Sequence, residues 1–252
     1  MEILLWLLAV LVVGVLGGWR AFRWRSRQRH LMLLCQRAGL RFSPIDLGGA
    51  AAWMPFRWVL RGNWVGAENV VAYDGDDVHA FDLVVEERQT REDVAPPKKR
   101  YSCAVVPVPG GCPRMLIRPQ QPIDGLAEVL TGTAIDLDLE AFNRRFTVRA
   151  DDRRFATAFC DQRMMQAIMR IPAGIGVATN EDRLLLFGRE LPPAQVLLLL
   201  EAARKIRDVV PPVIADLYPP RPSKSPYEDR WLQGRWSPDP VHRGDPGAAA
   251  HH

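Results

Sequence analysis

Lysine, cysteine and long apolar segments are all scarce in this chain of 252 residues. Only four of its 33 basic residues are lysines, and the others are arginines. Both cations serve about equally well on a solvated surface, so we attribute the bias to a GC-rich bacterial genome. Four cysteines exclude a dense disulfide scaffold. A single long apolar run excludes a transporter with many spans.

The common catalytic and cofactor motifs are also missing. GxGxxG, the Walker A loop, HExxH and GxSxG do not occur. His79 near Asp82 could act as a general base, but no nucleophile accompanies it. No CxxC spacing exists among the four cysteines, which are Cys35, Cys103, Cys112 and Cys160. We expect buried, reduced thiols, with a redox or metal pair at Cys103 and Cys112 as the alternative. The sequence therefore indicates no enzyme, no cofactor and no metal.

Positive charge is concentrated in one short segment. The formal net charge is +4, and five arginines lie within ten residues, namely Arg20, Arg23, Arg25, Arg27 and Arg29. Without this cluster the net charge is −1. No general basic surface remains, so we expect no nucleic-acid partner.

One apolar segment predicts a transmembrane helix. Residues 3–19 carry no charge, and as a helix they cover about 25 Å, near the lower limit for a bilayer core. Trp6 and Trp19 bracket the run as interface anchors, and Arg20 can extend it by snorkelling. A cleaved signal peptide is the alternative. However, Glu2 precedes the run and no A-x-A site precedes Arg20.

The arginine cluster predicts the orientation of this span. Because all five arginines follow the run, the positive-inside rule places the N-terminus outside and the remaining chain in the cytoplasm. We therefore expect a single-pass plasma-membrane protein with the bilayer as a partner. The same arginines form a candidate membrane-surface site, at about 1 kcal/mol each. The alternative is that they only determine topology.

A glycine pair inside the predicted span suggests self-association. Gly14 and Gly18 form a GxxxG motif, which lets two helices approach closely. The motif could serve as the face of a homodimer joined through the span. Because glycines are common in spans, a pair without this role is the alternative.

Beyond the span, the pattern predicts an α+β fold. About seven short strands and a long C-terminal helix favour a small antiparallel sheet or barrel, similar to a pleckstrin-homology barrel. Turns are expected at residues 109–113 and 180–182, and a helix capped by Asp151 or Asp152 is expected to reach Arg170. The predicted organisation is a transmembrane helix (1–19), a basic juxtamembrane helix (20–38), a cytosolic α+β domain (39–218) and a disordered Pro-rich tail (219–252).

Two side-chain groups and the tail could bind ligands or partners. A basic patch that could hold an anion consists of Arg144, Arg145, Arg149, Arg153 and Arg154. The alternative is surface charge paired with nearby acids. We expect the aromatic segment 53–64 to pack in the core, an exposed partner surface being the alternative. Trp231 and Trp236 in the tail could form a short docking motif.

Two groups of residues carry a family resemblance over roughly residues 53–190. The first is Pro55-Phe56 followed by Phe81-Asp82, and the second is Phe142, Asn143, Arg144, Phe146, Phe155 and Ala156. These motifs resemble an uncharacterised family of single-span bacterial, actinobacterial-type membrane proteins. The resemblance implies a cytosolic domain without an assigned activity, and it transfers no catalytic residue.

Together these features predict a membrane-anchored binding or scaffold domain at the inner face of the plasma membrane, with a protein partner there. Two alternatives stay open. One is an accessory subunit of a larger membrane complex, and the other is an unrecognised enzyme that uses the basic patch Arg144–Arg154.

Overall fold

The computed structural model describes residues 2–46, 55–87, 97–120 and 134–220. These residues contain six strands: β1 (Arg41–Ile45), β2 (Asn63–Ala72), β3 (His79–Glu86), β4 (Lys98–Pro119), β5 (Phe146–Ala150) and β6 (Gly176–Arg189). They also contain six helices: α1 (Glu2–Ala38), α2 (Glu140–Asn143), α3 (Arg153–Phe159), α4 (Gln162–Met169), α5 (Pro193–Asp208) and α6 (Val213–Leu217).

All six strands form one antiparallel sheet. Its order is β1-β2-β3-β4-β5, and β6 pairs with β4 as well. The first part of β4 lies between β3 and β6, and its last part lies between β5 and β6. The α+β class is therefore confirmed. The described strands form an open sheet rather than a closed barrel of the pleckstrin-homology kind.

The two predicted turns are wrong, because each lies inside a long strand. β4 passes through residues 109–113, and β6 passes through residues 180–182. The two strands pair with each other, with register shifts between Pro107 and Cys112 and between Cys112 and Met115. Gly110 has φ +105° and Glu181 has φ +55°. The turn-forming residues therefore make bulges that let a continuous ribbon bend, instead of reversing the chain.

The sheet has an apolar cluster on each face. On one face, helices α1 and α3 to α6 contribute buried side chains such as Leu31, Phe155 and Leu199. On the other face, residues 55–60 cover strand residues including Phe81 and Phe187. Phe56 and Trp64 are buried there, which confirms the expected core role for these two aromatics. Trp53 lies outside the described residues.

Helix α1 ends where the sequence predicts. Gly39 follows it with φ +65°, and the Leu40 N–H donates to the Cys35 carbonyl at 2.9 Å. This is a glycine C-cap of the Schellman type. The helix is continuous from Glu2, so the predicted boundary between span and juxtamembrane helix falls inside one element.

The helix expected to reach Arg170 is two helices. Asp152 caps α3, as predicted, by accepting from the N–H groups of Arg154 and Phe155. The chain then leaves the helical path at Cys160, and the Asp161 carboxylate accepts from the Met164 N–H at 2.7 Å. This second cap begins α4.

Among the described residues, no helix combines the length and the hydropathy that crossing a membrane requires. The span expected over residues 3–19 gains no support from this result and stays a prediction. The disordered tail and its tryptophans also stay predictions, since residues 221–252 lie outside the described ranges.

The bulge in β4 predicts that a side chain at Gly110 would destabilise the fold. A Cβ there would collide with the Tyr218 carbonyl oxygen, and the positive φ disfavours a side chain. We expect Gly110→Ala to lower the free energy of unfolding by about 2–4 kcal/mol in urea titrations. Gly75→Ala is the matched control, because Gly75 has φ +71° and open space around it. It should cost about 1 kcal/mol; equal losses would contradict the packing argument.

Candidate functional site beside helix α1

A groove of about 630 Å³ lies between the middle of α1, the start of β4 and the segment after β6. Its volume is within the range of small-molecule sites. Aromatic and basic side chains predominate in its lining, which consists of Trp19, Phe22, Arg23, Trp24, Ser26, Arg27, His30, Lys98, Arg100, Glu190, Leu191, Pro192 and Pro193.

The floor of the groove is built on a buried ion pair. The Arg27 Nε and Nη2 atoms each donate to an Asp82 carboxylate oxygen at 2.8 Å. The side chains are 11% and 1% exposed. This bidentate geometry is the strong form of an arginine–carboxylate contact. It fixes α1 to β3, in the middle of the sheet.

Further hydrogen bonds complete this polar cluster. Asn69 Nδ2 donates to Asp82 at 2.8 Å, and the Ser102 hydroxyl donates to it at 3.0 Å. The Ser102 hydroxyl accepts from the Leu191 N–H at 2.9 Å. The Leu191 carbonyl in turn accepts from Arg27. Strands β2, β3 and β4 and the segment after β6 are therefore joined to one helical side chain.

The cluster favours the charged form of Arg27. Burial lowers the pKa of the Arg27 guanidinium. Hydrogen bonding to Asp82 and attraction from Asp82 and Glu190 act in the opposite direction, and the net pKa shift is upward. Glu190 lies 3.3 Å from the Arg27 Nε atom. Arg27 is therefore a permanent cation held between two carboxylates.

Among the described residues, the rim of the groove contains paired charges and one exposed arginine that no carboxylate contacts. Glu68 accepts from the Trp24 indole N–H at 3.1 Å and from Arg100 at 3.3 Å. Lys98 pairs with Glu86 at 3.2 Å. In the described part of the chain, no carboxylate pairs with Arg23, whose guanidinium carbon lies 5.0 Å from the centroid of the Trp19 ring. The groove is thus suited to binding a polar or anionic group.

The structure places the predicted membrane-surface arginines in different environments. The side chains of Arg23, Arg25 and Arg29 are exposed. Arg27 is the exception: the sequence predicts it at the membrane surface, but its charge lies inside the domain against Asp82. The side chain of Arg20 is not among those that the structure describes. Helical periodicity is the reason for the difference, because Arg27 shares the buried face with Leu31 and Cys35.

The predicted anchors and glycine pair lie on the first half of α1. Trp6 is 74% exposed and Trp19 is 56% exposed. A Cβ added at Gly14 or Gly18 would meet no atom of another described segment within 4 Å. Both anchors and both glycines thus have exposed positions along the described helix.

The residues of the predicted anion patch lie on or next to three elements, α2, β5 and α3. Arg144 follows α2 and pairs with Glu140 at 2.6 Å. Arg145 donates to the Met169 carbonyl at 2.9 Å. Arg149 lies in β5, and Arg153 and Arg154 lie in the first turn of α3. The first two arginines therefore make local structural contacts.

The two residue pairs considered for acid–base or thiol chemistry also lie apart. His79 and Asp82 are three positions apart in β3, so they point to opposite faces of the sheet. Cys103 and Cys112 lie on the same strand, in clusters on opposite faces, instead of approaching across a hairpin. All four cysteines are buried and free. Within the described ranges, no three His, Cys, Asp or Glu side chains are grouped as metal ligands.

Sequence reasoning missed the Arg27–Asp82 pair, although a signal was present. Asp82 is the one charged residue inside the otherwise apolar stretch Ala80–Val85. A carboxylate in a strand that is buried on both faces requires a cation. The partner could not be identified in this way, because 55 residues separate the two side chains.

Comparisons with known proteins give one structural neighbour. No family model matches the chain, and no curated protein matches its sequence. The fold is similar to the crystal structure of the mycobacterial trehalose monomycolate transport factor A, TtfA, with a TM-score of 0.50 and 17% sequence identity. The match covers 79% of this chain and 99% of TtfA. This likeness shows a shared fold.

The buried ion pair predicts a large difference between two aspartate substitutions. Asp82→Asn leaves the buried Arg27 with only the partly exposed Glu190 as a counter-charge, and we expect it to lower the free energy of unfolding by about 3–5 kcal/mol. Asp151→Asn is the matched control, since Asp151 pairs with Arg114 at 2.7 Å and both side chains are 42% exposed. It should cost less than about 1 kcal/mol. Urea denaturation measures both, and similar losses would contradict the proposed role of the pair.

Buried His79 predicts a loss of stability in acid. Burial and repulsion from Arg41 and Arg183 lower the pKa of His79, and attraction from Asp76 raises it. The net result is a pKa of about 3. The unfolded chain, with an ordinary histidine pKa near 6.5, then binds more protons below that pH. The contribution of His79 to stability is complete above pH 6.5 and is lost as the pH falls towards 3.

We expect His79→Gln to remove about 2 kcal/mol of the stability difference between pH 7 and pH 5, whatever its effect at pH 7. The measurement is chemical denaturation at both pH values. His30→Gln, at an exposed position on α1, should leave the difference unchanged. A His79→Gln protein with the unmodified pH dependence would refute the assignment.

Proposed function

We propose that this chain is a non-enzymatic binding or scaffold domain, held at the inner face of the plasma membrane by the first half of α1. The observation that carries the proposal is the continuity of α1. A single helix of 37 residues runs from the uncharged segment 3–19 into the domain. There the Arg27–Asp82 pair and the buried Leu31 hold it against the sheet.

The geometry of α1 makes the link between anchor and domain short and stiff. Arg27 follows Trp19 by eight residues, which is about 12 Å along a helix. The groove beside α1 therefore begins at the end of the uncharged segment. In the proposed orientation, the N-terminus lies outside. The exposed arginines of the cluster that anionic lipid could contact are then Arg23, Arg25 and Arg29.

A second role, as an accessory subunit of a larger membrane complex, is favoured by the fold. The neighbour with this fold is named a transport factor, which is compatible with an accessory or binding role. In this role a protein partner at the membrane, or a second copy joined through Gly14 and Gly18, would contact the chain. The enzyme alternative at Arg144–Arg154 stays a prediction.

Alkaline carbonate extraction of bacterial membranes tests the anchor. We expect the full chain to stay in the membrane pellet, and a chain starting at Arg23 to appear in the supernatant. The shortened chain keeps Arg27, so its fold should persist, as circular dichroism can verify. Release of the full chain by carbonate would contradict the proposal. Protection of the C-terminal domain from protease added to whole spheroplasts checks the orientation.

The accessory role has its own measurement. Blue-native electrophoresis after mild detergent extraction should show a species larger than the monomer. Gly14→Leu/Gly18→Leu should remove that species if a homodimer through the span accounts for it, and should leave it unchanged if a different protein does. Migration at the mass of a single chain would contradict both forms of the role.

A further inference from the structure

We propose that the groove beside α1 binds the headgroup of an anionic phospholipid from the adjoining leaflet, with Arg23 holding the phosphate. This inference rests on the proposed membrane anchor and names the ligand class of the site. Phosphate can also come from a soluble ester. The position of the groove favours the lipid, because the groove starts at Trp19, the last residue of the uncharged segment.

Arg23 is the cation of the groove that is ready for an anion. Arg27, Lys98 and Arg100 each have a carboxylate within 3.3 Å. Arg23 is exposed and, in the part of the chain that the structure describes, lacks such a partner. Its guanidinium lies over the Trp19 ring, 5.0 Å from the centroid. The N–H donors of a guanidinium lie in one plane, which suits bidentate contact with phosphate.

The deeper part of the groove favours hydroxyl groups over a second anion. There Arg27 lies between Asp82 and Glu190, and Arg100 lies against Glu68. Paired charges of this kind offer donors and acceptors without an excess of positive charge. A glycerol-like headgroup matches this arrangement, since each hydroxyl can both donate and accept.

The outer wall of the groove suits the part of a lipid next to its headgroup. Trp19 and Phe22 are 56% and 70% exposed, and both precede Arg27 on α1, towards the uncharged segment. Indole rings prefer the interface between headgroups and acyl chains. Along α1, Arg23 lies about 6 Å beyond Trp19, which matches the thickness of the headgroup layer of one leaflet.

Native mass spectrometry of the full chain in neutral detergent tests the proposal. The probes are phosphatidylglycerol, phosphatidylcholine and soluble glycerol phosphate. We expect phosphatidylglycerol to be retained at least tenfold more than phosphatidylcholine. Arg23→Gln should reduce its retention by about five- to tenfold, while Arg25→Gln, which removes an equal charge on the same helix outside the groove, should reduce it less than twofold.

The controls separate this site from general attraction and from the anchor. Equal losses in the two variants would assign lipid binding to the arginine cluster as a whole and would overturn the proposal. Displacement of the lipid by millimolar glycerol phosphate would overturn the lipid as the source of the phosphate. Carbonate extraction of Arg23→Gln should match that of the unmodified chain, so loss of lipid with retained anchoring is distinguishable from failure of the anchor.

Discussion

The architecture depends on one buried ion pair, between Arg27 of α1 and Asp82 of β3. Removing two charges from water costs several kcal/mol for each ion, and the cost is offset only where the remaining polar atoms are satisfied. Here Asn69 and Ser102 supply further donors to Asp82. Because these donors come from β2 and β4, the helix has one position over the sheet at which the pair is complete. The pair therefore specifies the placement of α1 as well as contributing to stability.

The bent ribbon of β4 and β6 determines the other wall of the groove. Since the two strands pair along nearly their whole length, the end of β6 comes to lie beside the start of β4. The segment after β6 then carries Glu190 and Leu191 to Arg27. At the bend of the ribbon, the Gly111 N–H donates to the Tyr218 carbonyl at 2.8 Å, so the bulge contacts the residue that follows α6. The ribbon thus holds α1 through the segment after β6 and the end of α6 through its bulge.

Sequence reasoning succeeded where the determining interactions are local. The end of α1 at Ala38 and the Asp152 cap of α3 are determined within one helical turn, and the sequence predicts both features correctly. It failed where strand pairing decides the outcome. Turn-forming residues at 109–113 adopt a bulge because β6 supplies hydrogen-bond partners from more than 60 residues away. The groove could not be predicted for the same reason, since its lining comes from three separated segments, although the sequence singles out Trp19, Arg23 and Arg27 on α1.

The buried position of Arg27 changes how the arginine cluster should be understood. A cluster that served only topology would need all of its charges near the membrane and none of them inside the domain. In the structure, neighbouring arginines lie in different environments. Arg27 holds the domain to α1 through its ion pair, whereas Arg23 and Arg25 face solvent. Rigid attachment then fixes the height of the groove relative to the end of the uncharged segment. A flexible linker would leave that height undefined, so the ion pair that secures the fold also fixes the position of the groove along α1.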